Sequence, residues 1–189
     1  GVPGKRRVLA AYRKAQAAVS PRPLVIANGL TAYLDSFPHL CTEQITSRAF
    51  PAVVLGQRPE FGNSNQKDGV AKAQQAFASA VGVLRSRQNA EGGFGLWTAS
   101  VEADEYASVY AMHMLIEAVE RGYNVPPDLL AKGNSWLQQL AGSPAKDIHD
   151  VRSRAYAAYL LTRQGTVTTN YLAARREALD TSKSLTGTR

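Results

Sequence analysis

The sequence predicts an all-α chain of about eight helices joined as hairpins, with no sheet. Apolar residues recur at helical spacing through nearly every segment. The alternation of apolar and polar residues that marks a half-buried strand is almost absent. Proline and glycine fall between the apolar stripes, where helices start and stop.

Val8, Tyr12, Ala15 and Val19 form a first stripe, which Ser20-Pro21 ends. Ile26, Leu30, Tyr33, Leu34 and Phe37 form a second, bounded by Pro23 and Pro38. A third helix is expected at or just after Cys41, carrying Ile45, Ala49 and Val53. Pro51 lacks an N–H and should bend or end it. The run from Gly56 to Asp68 is rich in Gly, Pro, Asn and Gln and reads as a loop. Val70, Ala73, Phe77, Val81 and Leu84 make a fourth stripe, ending near Gln88. The stretch Gln88 to Trp97 (QNAEGGFGLW) follows as a turn whose glycines allow a tight reversal. Val109, Met112, Ile116 and Val119 mark a fifth helix, stopped by Gly122. Pro126-Pro127 opens a sixth, with Leu130, Trp136, Leu137 and Leu140 on it, and Pro127 suits a first helical turn. Asp150 to Arg163 reads as a seventh, with Val151, Ala155 and Tyr159. A last helix, Thr169 to Leu179, gives way to a polar tail over 181–189 that is expected to fray.

A chain of 189 residues fits one domain, or most of one. Its 44% hydrophobic and 20% charged residues describe an ordinary globular composition. No apolar run approaches the roughly 18–20 residues of a membrane-spanning helix, so no membrane contact is expected. The start at Gly1 has no basic-then-apolar secretion signal, which leaves a cytosolic protein or a segment of a longer one. One cysteine excludes an internal disulfide framework. The net charge of +7 is spread along the chain, with Lys5-Arg6-Arg7 and Arg175-Arg176 as its short clusters. A nucleic-acid footprint concentrates its charge on one stripe with stacking aromatics, so solvated helix faces explain this charge better. Three scattered histidines lack metal-ligand spacing, and neither metal nor cofactor is expected.

Chemistry points to the run Tyr33 to Pro51 (YLDSFPHLCTEQITSRAFP), where Gln44 stands three positions after Cys41. Residues at i and i+3 of a helical turn face each other, with β-carbons about 5–6 Å apart. A thiol and a primary carboxamide that close, kept strained and dry, can condense to a thioester and release ammonia. The acyl group is then open to amines and hydroxyls. A buried, inert cysteine is the competing reading of the same residues. A toroid enzyme would need clustered aspartates, and Asp147 and Asp150 stand isolated from any other acidic motif. A cysteine hydrolase would need His39, His113 or His149 beside the thiol, and nothing in the sequence places one there.

Three stretches together resemble the thioester domain of bacterial α2-macroglobulins, relatives of the complement proteins. They are Val19 to Leu24 with the following helix, Tyr33 to Pro51, and Gln88 to Trp97 with Arg121 to Pro126, so the likeness covers residues 15–140. The Gln88 to Trp97 turn also resembles the Q-x-x-x-G-x-W turn of α/α toroids. The resemblance implies an α/α toroid with the thioester at one end, here a truncated, partial ring. Residues 1–189 would form a single thioester domain cut from a larger multidomain protein.

By the same resemblance, Cys41 supplies the thiol, Gln44 the acyl carbon, and Glu43 completes the motif. Glu43 equally suits the first turn of a helix through the macrodipole. Phe37, His39, Leu40 and Phe50 are the candidates for shielding the bond. The implied function is covalent capture by a broad-range endopeptidase inhibitor of the periplasm or cell envelope, part of bacterial defence. A protease cuts a bait region elsewhere, the thioester is exposed, and lysine amines of the attacker are acylated once. That is a single-turnover trap rather than an enzyme. Neighbouring domains of the parent would shield the bond, and without them hydrolysis leaves a free thiol and a carboxylate. A helical-toroid interaction domain with an inert cysteine is the alternative. Two departures stand out. Relatives commonly have Tyr-Gly where this chain has His39-Leu40, and no histidine occurs from Trp97 to Tyr106 to relay the acyl group to hydroxyls. His113 falls inside an apolar pattern and His149 before the seventh helix, so direct transfer to amines is expected.

Overall fold

A computed structural model describes residues 33–34, 40–56, 66–173, 176, 177 and 180. Five complete helices follow in order: α1 Thr42–Leu55, α2 Gln66–Arg87, α3 Glu105–Glu120, α4 Pro127–Gly142 and α5 Ile148–Arg163. Residues 169–173 open a further helix. Among the described residues the β-type pairing is one isolated bridge, between Gln88 and Phe94. The chain is all-α, as its periodicity predicts.

Side chains set the helix starts. Asp104 accepts from the Ala107 N–H and so caps α3, while Asp147 accepts from His149 and Asp150 at the head of α5. Pro127 takes the first position of α4, where a missing N–H costs nothing. Gly122, at φ +74°, turns the chain after α3.

The helices run up and down. Ser47 meets Tyr110 and Phe50 packs on His113, the same offset of 63 residues in both pairs, so α1 and α3 are parallel. His113 meets Tyr156 and Glu120 meets Arg163 with a common offset of 43, so α3 and α5 are parallel too. These offsets bring the three helix starts, Cys41, Asp104 and Asp147, to one level. The even helices return: α2 brings Arg87 to Leu40 and Thr42 while Ala73 lies against Gly56, and α4 pairs Asn134 with Gln164. Val53, Phe77, Leu84, Met112, Leu137 and Leu161 lie between the helices, essentially fully buried. Each contributes about 1.5–3 kcal/mol through removal of its side chain from water. Gly133 lets α4 close on α3, because a Cβ there would run into the Met112 sulfur.

Several expectations need correction. Of the two outcomes expected at Pro51, an end to the helix is overturned: α1 continues through it to Leu55. One lost N–H bond is outweighed by the burial of Ala49 and Val53 on either side. Helix α2 already covers the last residues of the expected loop, beginning at Gln66. Val119 and Tyr159 do not join the core: both are about half exposed, and Tyr159 packs instead against His113 and beneath the Arg163 guanidinium. The first stripe, nearly all of the second, Phe37, His39 and the 181–189 tail lie outside the described residues.

Candidate functional site

Cys41 occupies the N-cap of α1 in extended backbone, φ −66° and ψ 165°. Its N–H donates to Oε1 of Gln44 at 3.2 Å. This is the return arm of a capping box, with cysteine where serine or threonine is usual. The bond folds the Gln44 carboxamide back over the first turn, onto the residue that carries the thiol. Both residues are half-buried, while Glu43 between them on the helix faces solvent. Leu40 is also exposed.

Thr42 anchors this turn to the rest of the chain. It is fully buried, its N–H donates to the Leu96 carbonyl at 2.8 Å, and its hydroxyl donates to the Gly95 carbonyl at 2.6 Å. Those carbonyls belong to the glycine-rich turn, which side chains hold rigid from within. Asn89 Oδ1 accepts from the N–H groups of Glu91, Gly92 and Gly93, and its Nδ2 donates to the carbonyls of Ser100 and Val101. Gln88 donates to the carbonyls of Gly92 and Leu129. Gly92 is buried at φ +100° against the Lys132 carbonyl, a position no other residue fills without strain. Phe94 is fully buried, and its backbone N–H and C=O both bond the buried Ser108 hydroxyl, at 2.7 and 3.1 Å.

A buried guanidinium joins the two parts. Arg87, the last residue of α2, donates through Nη2 to the Leu40 carbonyl at 2.8 Å. Through Nη1 it donates to the Leu96 carbonyl at 2.9 Å and to the Thr42 hydroxyl at 3.2 Å. Among the described residues no carboxylate lies within ion-pair distance of it. Burial pulls its pKa below the usual guanidinium range, and the neighbouring Cys41 sulfur acts in the opposite direction.

The other expected residues divide. Phe50 lies nine residues along α1 from Cys41, about 13 Å of helix rise, with its ring on Tyr110 and His113 at centroid distances of 5.6 and 5.0 Å. His113 is held in that cluster. Its Nδ1 meets the Tyr156 hydroxyl at 2.6 Å and its Nε2 meets Arg163 at 3.1 Å. A guanidinium can only donate, which assigns Nε2 as acceptor and Nδ1–H as donor. Burial, and then Arg163, push the His113 pKa down. His149 is exposed in the first turn of α5, at the same end of the parallel helices as Cys41. Among the described residues no three His, Cys, Asp or Glu side chains gather as metal ligands. No described helix is long and apolar enough to cross a membrane.

Thr42 and Arg87 are the site residues that motif reading misses. Each interrupts a buried stripe: Thr42 precedes Ile45, Ala49 and Val53, and Arg87 follows Phe77, Ala80 and Leu84. A polar residue in such register signals a buried hydrogen-bond partner.

No protein-family model matches the chain. A protein described as an α2-macroglobulin homologue from Yersinia pestis is 37% identical over 174 residues, covering 92% of this chain and 8% of its own length. The chain is homologous to one segment of the bacterial α2-macroglobulins. It spans less than a tenth of the length of that relative. The crystal structure of Salmonella α2-macroglobulin reacted with methylamine superimposes with a TM-score of 0.67 and 26% identity, over 81% of this chain and 10% of that one. The trypsin-activated α2-macroglobulin of Escherichia coli superimposes with a TM-score of 0.62 and 25% identity, over 75% of this chain and 10% of that one. The α2-macroglobulin segments share the all-helical architecture, and the helical hairpins found here match it.

Proposed function

We propose that this segment is the thioester-bearing, covalent capture module of an α2-macroglobulin. The observation that carries the reading is the Gln44 carboxamide folded back onto the Cys41 N–H in one helical turn. Attack of the Cys41 sulfur on Cδ of Gln44 forms the S–C bond, breaks the C–N bond and releases ammonia, with the thiol proton leaving on it. When a lysine amine later attacks Cδ, the C–S bond breaks, an amide forms, and the Cys41 thiol is regenerated by the amine's proton. Nothing restores Gln44, so each molecule acts once and is not an enzyme. That the homologous Salmonella protein was crystallised after reaction with methylamine supports an amine-reactive site, and trypsin activation of the E. coli relative supports proteases as targets.

Leu40, just before α1, and Leu96 and Trp97, in the turn bonded to Thr42, form an exposed apolar collar in this reading. In this reading, neighbouring domains of the parent cover the collar and keep water from the bond. The parent works in the periplasm or cell envelope, with attacking proteases as its partners. His113 is too far along α3, and too fully engaged, to relay the acyl group. Transfer therefore goes directly to amines.

Intact mass of the full-length parent, before and after methylamine, tests the proposal. The untreated protein should be lighter than its sequence by one ammonia. Methylamine should add one amine and release one titratable thiol. An untreated parent of full mass with a freely alkylated Cys41 would leave the inert-cysteine reading in its place.

A further inference from the structure

We infer that Arg87 is a positioning residue of the thioester, clamping the backbone on the N-terminal side of Cys41 and placing beside its sulfur a positive charge that no carboxylate among the described residues pairs. The inference rests on the thioester reading above and adds to it a group outside the motif. Arg87 stands 46 positions after Cys41 in sequence, yet its guanidinium hydrogen-bonds the residues on both sides of it. Its donors reach three acceptors at once: the Leu40 carbonyl just before Cys41, the Thr42 hydroxyl just after it, and the Leu96 carbonyl of the glycine-rich turn. Thr42 N–H fixes the same Leu96 carbonyl from the other side. Cys41 is therefore pinned before and after its own position, and its N–H pins Gln44. Two reacting side chains on a fixed backbone start close to their attack geometry, which is where intramolecular reactions gain most of their rate.

The charge matters separately from the clamp. A buried guanidinium usually faces a carboxylate, as Arg154 faces Glu105 in this chain. Among the described residues Arg87 instead faces carbonyl and hydroxyl oxygens, and the Cys41 sulfur, between the residues it bonds, can carry negative charge. The first-turn N–H groups of α1 add partial positive charge at the same place. Negative charge develops on sulfur both when the thiolate attacks Gln44 and when it leaves during amine transfer. Arg87 stabilises it in both steps. A lysine there would keep the charge and lose the fork, since one ammonium cannot span three acceptors in that geometry.

The experiment uses the full-length parent with Arg87→Met and Arg87→Lys. Thioester occupancy is read by intact mass, and the rate of thiol release is followed with methylamine. In parallel, the pH profile of Cys41 alkylation is recorded in a Gln44→Glu background, which cannot release ammonia. R87M should lower occupancy and slow formation by about tenfold or more, the loss expected for one charge-assisted contact. Its alkylation profile should move to higher pH. R87K should keep the wild-type alkylation profile while still losing occupancy, which separates charge from clamp. Circular dichroism confirms the fold of each variant, and if R87M does not fold, R87K with its alkylation profile decides. Full occupancy with unchanged release rate and unchanged alkylation profile in both variants would overturn the inference. If wild-type parent shows no ammonia loss, the thioester reading fails by itself. The alkylation profile of Q44E/R87M against Q44E then still decides whether Arg87 acts on the Cys41 sulfur.

Discussion

Two arginines at opposite ends of the parallel helices, Arg87 and Arg163, stand in opposite surroundings. At the start of α1, Arg87 is surrounded by neutral oxygens and a sulfur, and burial pulls its pKa down. At the far end of α3 and α5, Arg163 pairs with Glu117 and Glu120, and those carboxylates raise its pKa against the cost of burial. Arg121 joins the same cluster through Glu117 at 2.5 Å. There the charges are paired, with aromatic rings packed beside them: Phe50, Tyr156 and Tyr159 around His113, and Tyr110 on Phe50. At the near end, the start of α1, Arg87 keeps its charge without a matching carboxylate among the described residues, whereas Arg154, near the starts of α3 and α5, is paired with Glu105 and Asp150. That difference separates a structural ion-pair cluster from a site arranged to receive negative charge.

The largest effect is expected at the scaffold of the near end. Phe94→Ala removes a fully buried ring at the base of the glycine-rich turn and should destabilise the chain by about 3–5 kcal/mol in urea unfolding. A loss under 1 kcal/mol would mean that the turn is not the support argued here. Thr42→Val comes next. It keeps the shape but strips donor and acceptor from a buried site, leaving the Gly95 carbonyl without its Thr42 donor and Arg87 with two of its three acceptors, at about 1–3 kcal/mol. Equal stability of T42V and wild type would show that the near end does not depend on this bond.

The far end should reveal itself through pH. Burial alone would raise the Glu117 pKa, but hydrogen bonds and charge from Arg163 and Arg121 hold it below the ordinary 4.5. Its folded pKa is lower than its unfolded one, so its stabilisation is present above 4.5 and disappears as pH falls through the folded value. His113 gives a second, higher step. Its folded pKa lies below 6.5, so the unfolded chain takes up the proton first and stability falls as pH drops from 6.5 toward the folded value. Unfolding of wild type, Glu117→Gln and His113→Gln across this range should show the acid step missing in the first variant and the higher step missing in the second. Identical pH profiles for all three would remove the contrast between the ends. The smallest effect concerns His149. Under direct aminolysis, His149→Ala should leave methylamine capture by the parent unchanged, and glycerol capture slow. A large loss of either on H149A, or glycerol capture as fast as methylamine, would show that a histidine takes part.

Much of the fold is legible in the sequence because apolar spacing reports burial directly. Phe77, Leu84, Met112 and Leu137 fall where their periods place them. Helix α1 does not end at Pro51 because a missing N–H is a local penalty, while burial of Ala49 and Val53 is decided by neighbours distant in sequence. Val119 and Tyr159 fail for a related reason: a stripe gives the face but not where the covering helix ends. At the site, the C-x-x-Q spacing makes the meeting of Cys41 and Gln44 readable, since three residues within one turn fix it. Arg87 is not readable in that way. Its partners Leu40 and Thr42 are brought by the hairpin, and a guanidinium shared among three oxygens leaves no spacing to find.

Mapping of isotopically labelled methylamine on the intact parent puts the Cys41–Gln44 bond to the most direct test. After reaction, alkylation and proteolysis, the labelled amide should appear on residue 44 and the newly alkylated sulfur on Cys41, in equal amounts. Label at any other residue, or no label with Cys41 already open to alkylation, would contradict the capture mechanism.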